Sequence, residues 1–291
     1  MAMAREGTIT TRDGRRLAYL ESGDPQGPVV VAHHGTPGCR YPLFPDPSVA
    51  DGLRLLTYDR PGYGGSTPNP GRAVADAAAD VEALADALEV ERFGTLGFSG
   101  GGPHALACAA LLPGRVARAA VLVGVAPIDD PAFDFMDGMA EMNVRDFEVA
   151  RTRPEEYRDF LRPDVEQLKA DSEGFLEVVL AQSPPPDRAA LTNPAARELM
   201  LRSFREAIVQ DEEGLLEDGL AFARSWGFAL ETIAAEVRVW QGELDTLVPR
   251  AHGAYIASKI PGARSELVPG EGHMIFGRLR EALAWAAGLD G

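Results

Sequence analysis

The chain has 291 residues, 45% hydrophobic and 25% charged, which is ordinary for a globular protein and enough for one large core with room for an insertion. Its formal net charge of −16 repels nucleic-acid phosphates and anionic membranes and argues against both as partners. No apolar run approaches membrane-spanning length, and the N-terminal Met1-Ala2-Met3-Ala4-Arg5-Glu6 lacks the apolar stretch of a secretory signal, so the cytoplasm is the expected compartment.

Residues 8–13 and 15–21 read as two short strands joined at Asp13-Gly14, a hairpin turn signal. Residues 28–33 form a continuous apolar run that ends in His34-Gly35-Thr36-Pro37-Gly38. It reads as a buried parallel strand with a loop at its C-terminal end. Residues 53–58 repeat the theme and end in Asp59-Arg60-Pro61-Gly62-Tyr63-Gly64-Gly65-Ser66. Residues 73–88 follow as a helix, with Val81, Leu84, Ala85 and Leu88 at helical spacing and Asp76, Asp80, Glu82 and Asp86 on the polar face. Residues 92–96 suit a short strand and residues 104–112 a buried helix. Between them lies Gly97-Phe98-Ser99-Gly100-Gly101. Residues 117–125 are another apolar strand. This alternation predicts a mostly parallel sheet with helices on both faces. The two cysteines, Cys39 and Cys108, are far apart and lack metal spacing; they read as free thiols.

From residue 127 to 224 no strand is predicted. Helical stretches alternate with breakers at Pro131, Pro154, Pro163, Ser183-Pro184-Pro185-Pro186 and Asn193-Pro194, and 23 acids face 11 bases. These acids read as solvated helix faces. The α/β rhythm then returns with a strand at 236–242, a helix at 250–259, a strand at 265–268 and a closing helix at 275–287. Residues 1–126 and 225–291 therefore form one α/β core, and residues 127–224 a helical insertion.

The chemistry centres on Ser99. In G-x-S-x-G the flanking glycines permit a turn so tight that side chains there would collide, which holds the serine strained and projecting above the sheet edge. The Gly100 amide opens a helix, where an unpaired N–H can stabilise an oxyanion. A serine needs a base, and a histidine base needs a carboxylate to orient it. His273, in the Gly-bracketed loop after the last strand, is the base, because open α/β sheets gather ligands at C-terminal strand ends. Asp245 lies at such an end and is the acid, with Asp129 and Asp130 as rivals. The second oxyanion donor is assigned to the Thr36 amide. His34 and His104 read as structural.

Five motifs carry a resemblance over nearly the whole core: His34-Gly35-Thr36-Pro37-Gly38, Asp59-Arg60-Pro61-Gly62-Tyr63-Gly64-Gly65-Ser66, the Ser99 elbow, Gly242-Glu243-Leu244-Asp245 and Gly272-His273. The chain resembles the α/β-hydrolase superfamily. The resemblance implies an eight-stranded sheet, a triad of Ser99, Asp245 and His273, and a helical cap after the sixth strand. It also implies that the Asp59–Ser66 segment is mainly a structural turn beside the site. Serine at the elbow disfavours the branches that use aspartate there.

The expected activity is hydrolysis of a small-molecule ester through an acyl-enzyme on Ser99, with no cofactor or metal. The alternatives are an aminopeptidase of the proline-iminopeptidase type, a lactone or C–C bond hydrolase, and a non-catalytic ligand-binding protein on the same fold. Phe133, Met136, Met139 and Phe147, nearest the entry of the insertion, are the expected pocket lining.

Overall fold

A computed structural model describes residues 4–42, 44 and 46–289. Eight strands form one sheet: β1 (Arg5–Thr10), β2 (Arg16–Gly23), β3 (Val29–His33), β4 (Arg54–Tyr58), β5 (Phe93–Phe98), β6 (Val116–Leu122), β7 (Glu236–Gly242) and β8 (Arg264–Val268). Their order is β1-β2-β4-β3-β5-β6-β7-β8. The β1–β2 and β2–β4 pairs are antiparallel, and every other pair is parallel. The expected mostly parallel eight-stranded sheet is therefore present, with the N-terminal hairpin at one edge.

Both faces of the central strands are buried because successive apolar side chains point to opposite sides. Val31, Leu56 and Val239 enter one core together with Val81 and Leu84 of α1 (Ala77–Ala87), Leu106 of α2 (Gly101–Leu111) and Ile256 of α9 (Arg250–Lys259). Val30, Leu55 and Trp240 enter the opposite core with Leu279, Leu283 and Trp285 of α10 (Leu279–Ala286). Fully burying a leucine such as Leu84 or Leu106 contributes about 1.5–3 kcal/mol.

Several boundaries differ from the sequence reading: β1 ends at Thr10 rather than residue 13, β6 ends at Leu122 rather than residue 125, and α1 starts at Ala77 rather than residue 73. Strand β5 runs on to Phe98, because Gly97 and Phe98 still pair with Val121 and Leu122 of β6. The closing helix starts at Leu279, because a tight turn at Phe276–Arg278 precedes it.

Six helices lie between β6 and β7, and the described residues there include no strand: α3 (Glu141–Thr152), α4 (Tyr157–Ala170), α5 (Ser172–Ala181), α6 (Pro185–Ala190), α7 (Pro194–Ala207) and α8 (Glu213–Phe222). Local signals start several of them. Asn193 accepts from the Ala195 and Ala196 amides, with Pro194 in the first turn. Asp171 accepts from the Gly174 amide. Pro163 does not break the chain as expected: it sits inside α4, on the exposed face with Asp159, where water can serve the carbonyl that loses its amide partner. Tyr157, Leu161, Val165 and Leu168 form the buried stripe of that helix.

Both cysteines are free and buried, and burial pushes the Cys39 thiol up to about 12. No helix of the described residues is long and apolar enough to cross a membrane.

Candidate active site

Strand β5 delivers Ser99 to the C-terminal edge of the sheet. Ser99 has φ 54°, a left-handed conformation that only a constrained turn holds. The turn is fixed by the Ser99 amide on the Leu122 carbonyl at 2.8 Å and the Gly102 amide on the Ser99 carbonyl at 2.9 Å. A Cβ at Gly97 would collide with the Gly101 carbonyl, and one at Gly101 with the His33 carbonyl, so strand and helix approach as closely as the motif predicts.

The loop after β3 packs on this turn. A Cβ placed on Gly35 would lie 3.5 Å from Ser99 Cβ, and one on Gly100 would run into the Thr36 side chain. Gly100 precedes α2, and Thr36, Ser99 and Gly100 line one cavity of about 160 Å³.

The loops after β7 and β8 bring Asp245 and His273 together. Asp245 Oδ2 lies 2.8 Å from His273 Nδ1 and also accepts from Gln241 Nε2 at 3.0 Å; Oδ1 accepts from the Leu247 and Val248 amides, both at 2.9 Å. The His273 ring stands edge-on to Phe98, the residue before Ser99, with centroids 5.4 Å apart. Burial alone would lower the His273 pKa, but the Asp245 charge and hydrogen bond, with the charge of Asp187, outweigh it and raise it.

The rival acid Asp130 accepts instead from Tyr255 Oη at 2.7 Å and Lys259 Nζ at 2.9 Å, which tie it to α9. Of the remaining histidines, His34 Nδ1 lies 2.7 Å from the Gly35 carbonyl and His104 Nδ1 lies 2.8 Å from the Gly100 carbonyl. Burial lowers both of their pKa values, so they are neutral packing residues.

The cavity floor comes from the sheet edge and its roof from the insertion: Met142, Asp146 and Phe147 of α3, Tyr157 and Leu161 of α4, Phe222 of α8. Only Phe147 of the four expected lining residues is there. Phe133 does not line it, because its ring packs on Phe135, His252 and Tyr255. Met136 and Met139 do not line it either and pack against the main core. The stretch is steered away by His252, which accepts from the Ala126 amide at 3.1 Å and lies 2.9 Å from the Phe135 carbonyl.

The acids of the insertion are not all solvated, contrary to the sequence reading. Asp146, within the cavity, meets Tyr157 Oη at 2.9 and 3.0 Å, and burial pushes its pKa up to about 7. Asp218 of α8 is fully buried. Its Oδ1 accepts from Arg60 Nε at 3.2 Å and Arg72 Nη2 at 2.6 Å; its Oδ2 accepts from Arg60 Nη2 at 2.6 Å, Thr36 Oγ1 at 2.6 Å and Tyr63 Oη at 2.8 Å. Arg60 also donates to the His34 carbonyl, and to the Gly35 carbonyl at 2.9 Å. The Asp59–Ser66 segment is thus more than a turn: it joins the loop after β3 to the insertion. The sequence signal that could have shown this is an arginine between Asp59 and Pro61 at a strand end, where a solvated role is hard to satisfy.

Comparison with known proteins agrees with this architecture. The chain is 37% identical over 131 residues to a non-heme chloroperoxidase of Streptomyces lividans, a match covering 42% of this chain and 46% of that one, so it spans about half the relative's length. It is 26% identical over 291 residues to the 2-hydroxy-6-oxononadienedioate/2-hydroxy-6-oxononatrienedioate hydrolase of Cupriavidus pinatubonensis, covering 94% and 91%. A solved hydrolase structure from Pseudomonas aeruginosa PA01 superposes with a TM-score of 0.70 at 22% identity, covering 98% of each chain. The alpha/beta hydrolase fold model matches residues 28–277, and the chain belongs to that family.

Proposed function

We propose that the protein is a serine hydrolase that cleaves a small-molecule carboxylic ester through an acyl-enzyme on Ser99. The observations that carry this reading are the Asp245–His273 contact of 2.8 Å, the His273 ring edge-on to Phe98, and the φ of 54° at the next residue, Ser99. In this mechanism Ser99 Oγ attacks the ester carbonyl carbon while His273 Nε2 takes its proton. Asp245 keeps the other proton on Nδ1 and stabilises the imidazolium. The Gly100 and Thr36 amides receive the tetrahedral oxyanion. Collapse of the intermediate expels the alcohol, which takes the proton from His273. A water then repeats the sequence on the acyl group and frees Ser99. The insertion acts as the cap, and Phe147, Met142, Leu161 and Phe222 form an apolar wall around the substrate.

Asp146 favours a second reading. A carboxylate in this cavity, with no lysine or arginine paired to it among the described residues, suits a substrate that carries an amine, as in an aminopeptidase. A panel of p-nitrophenyl esters beside a proline arylamide separates the two readings. The ester reading expects ester turnover and labelling by a fluorophosphonate probe. It also expects Ser99→Ala, still folded, to lose on the order of a millionfold in turnover. Substantial ester hydrolysis by that variant would refute a serine mechanism.

A further inference from the structure

His273 has a second carboxylate neighbour, contributed by the insertion. Asp187 of α6 is 1% exposed, and it accepts the His273 amide at 3.0 Å through Oδ2 and the Met274 amide at 2.8 Å through Oδ1. Neither Lys nor Arg pairs with it among the described residues. A Cβ at Gly272 would strike this carboxylate, so the glycine is what lets it reach the loop.

The local sequence explains why the carboxylate is available. Asp187 is the third residue of its helix, where an acid ordinarily turns back onto the amide of the capping residue. Here the capping residue is Pro184, and the first two helical residues are Pro185 and Pro186. Three prolines offer no N–H. The carboxylate therefore has no amide of that first turn to cap and satisfies itself on another chain segment.

We infer that Asp187 is a positioning residue for His273: by accepting the His273 and Met274 amides it fixes the backbone from which the imidazole swings. Its charge also acts on the imidazole together with that of Asp245. This rests on the reading of His273 as the base. The two charged groups acting on His273 are Asp245, from the loop after β7, and Asp187, from α6; the Phe98 ring that faces it from β5 is uncharged. Burial pushes Asp187 above the ordinary carboxylate range, while the Met274 and His273 amides pull it back.

The test is an NMR titration of His273 in the intact protein carrying Ser99→Ala, with and without Asp187→Asn. Asparagine keeps the shape and one acceptor but loses the charge. The His273 pKa should fall by about one unit, the lower end of what a neighbouring charge does. In the Ser99 protein, Asp187→Asn should lower kcat roughly tenfold to a hundredfold with KM held within about twofold, and should move the acidic limb of kcat/KM downward by the same amount. An unchanged His273 pKa, or a loss of melting temperature with an unchanged pH profile, would overturn the inference and leave Asp187 as a stitch between insertion and core. Should Asp187→Asn not fold, Asp187→Ser, which keeps an acceptor and lacks the charge, is titrated in its place: a fall in the His273 pKa supports the inference, and an unchanged value overturns it. The titration needs no turnover, so a protein inactive on every ester would refute the ester reading while leaving the pKa result to stand alone.

Discussion

Replacing Asp218 by asparagine should be among the most destabilising single changes in the molecule. The carboxylate accepts five hydrogen bonds, three of them from the buried guanidinium groups of Arg60 and Arg72. Asparagine has the same outline but only one acceptor oxygen. Its NH2 must face either Arg72 and Arg60 Nε or the cluster of Thr36, Tyr63 and Arg60 Nη2. Both guanidinium groups are then left without the anion that neutralises them. Breaking a buried ion pair by removing one partner costs about 3–5 kcal/mol, because the surviving charge stays out of water. For a chain of this size that lowers the melting temperature by roughly 10 °C.

The assay is thermal melting of both proteins between pH 3 and 8. Burial alone would raise the Asp218 pKa, but the Arg60 and Arg72 guanidinium groups outweigh it and hold it well below the ordinary value. A depressed carboxylate contributes its stability in full above its unfolded pKa of about 3.9, and loses it as pH falls toward the folded value. The gap between the two proteins should therefore be constant from pH 5 to 8 and close only below about pH 4. A variant melting within a degree of the parent at pH 7 would refute the buried-network argument.

Three further outcomes are expected. Asp245→Asn should lower kcat by about four orders of magnitude through the wrong imidazole tautomer, while Asp130→Asn, which touches the contacts to Tyr255 and Lys259 of α9, should alter kcat little; steady-state kinetics on the best ester decides. Because a base must be neutral and the Asp245 charge raises His273, kcat/KM should climb with pH through an inflection above the usual histidine value of 6.5. Asp146, pushed up to about 7, binds a proton in the folded state that the unfolded chain has released. Its contribution to stability should fall as pH rises from about 4 to 7, by up to about 4 kcal/mol, and the difference between Asp146→Asn and the parent in pH-dependent urea melts should show that slope.

The three residues of the proposed triad stand out in the sequence for a physical reason. Ser99, Asp245 and His273 each follow a strand and are set off by glycines, and strand ends in a parallel sheet converge at one edge. The insertion was legible as helices but not as a surface. Phe133 and Phe147 are both aromatic, near the entry and compatible with a helix or its approach; only tertiary packing, Phe133 on His252 and Tyr255, separates the one that packs away from the one that lines the cavity with Ser99. The buried aspartates were hidden by their own company. Among 23 acids, charge alone does not distinguish Asp187 or Asp218 from a solvated neighbour. For Asp187 a signal was present in the three prolines before it, which remove the usual partners of an acid in a first helical turn. For Asp218 the partners Thr36, Arg60, Tyr63 and Arg72 lie more than 140 residues away in sequence, and only folding brings them together.

The Asp218 contacts also set the terms on which specificity could be exchanged between relatives. A chimera cut at residues 127 and 224 would carry a new roof for the cavity, but unless the donor brings an acid to the place of Asp218, the recipient keeps two buried arginines with nothing to answer them. Recombination should therefore succeed in blocks that move the loops holding Thr36, Arg60 and Arg72 together with α8. In a library of such chimeras, folded and expressed members should be those that inherit both halves of this cluster from one parent.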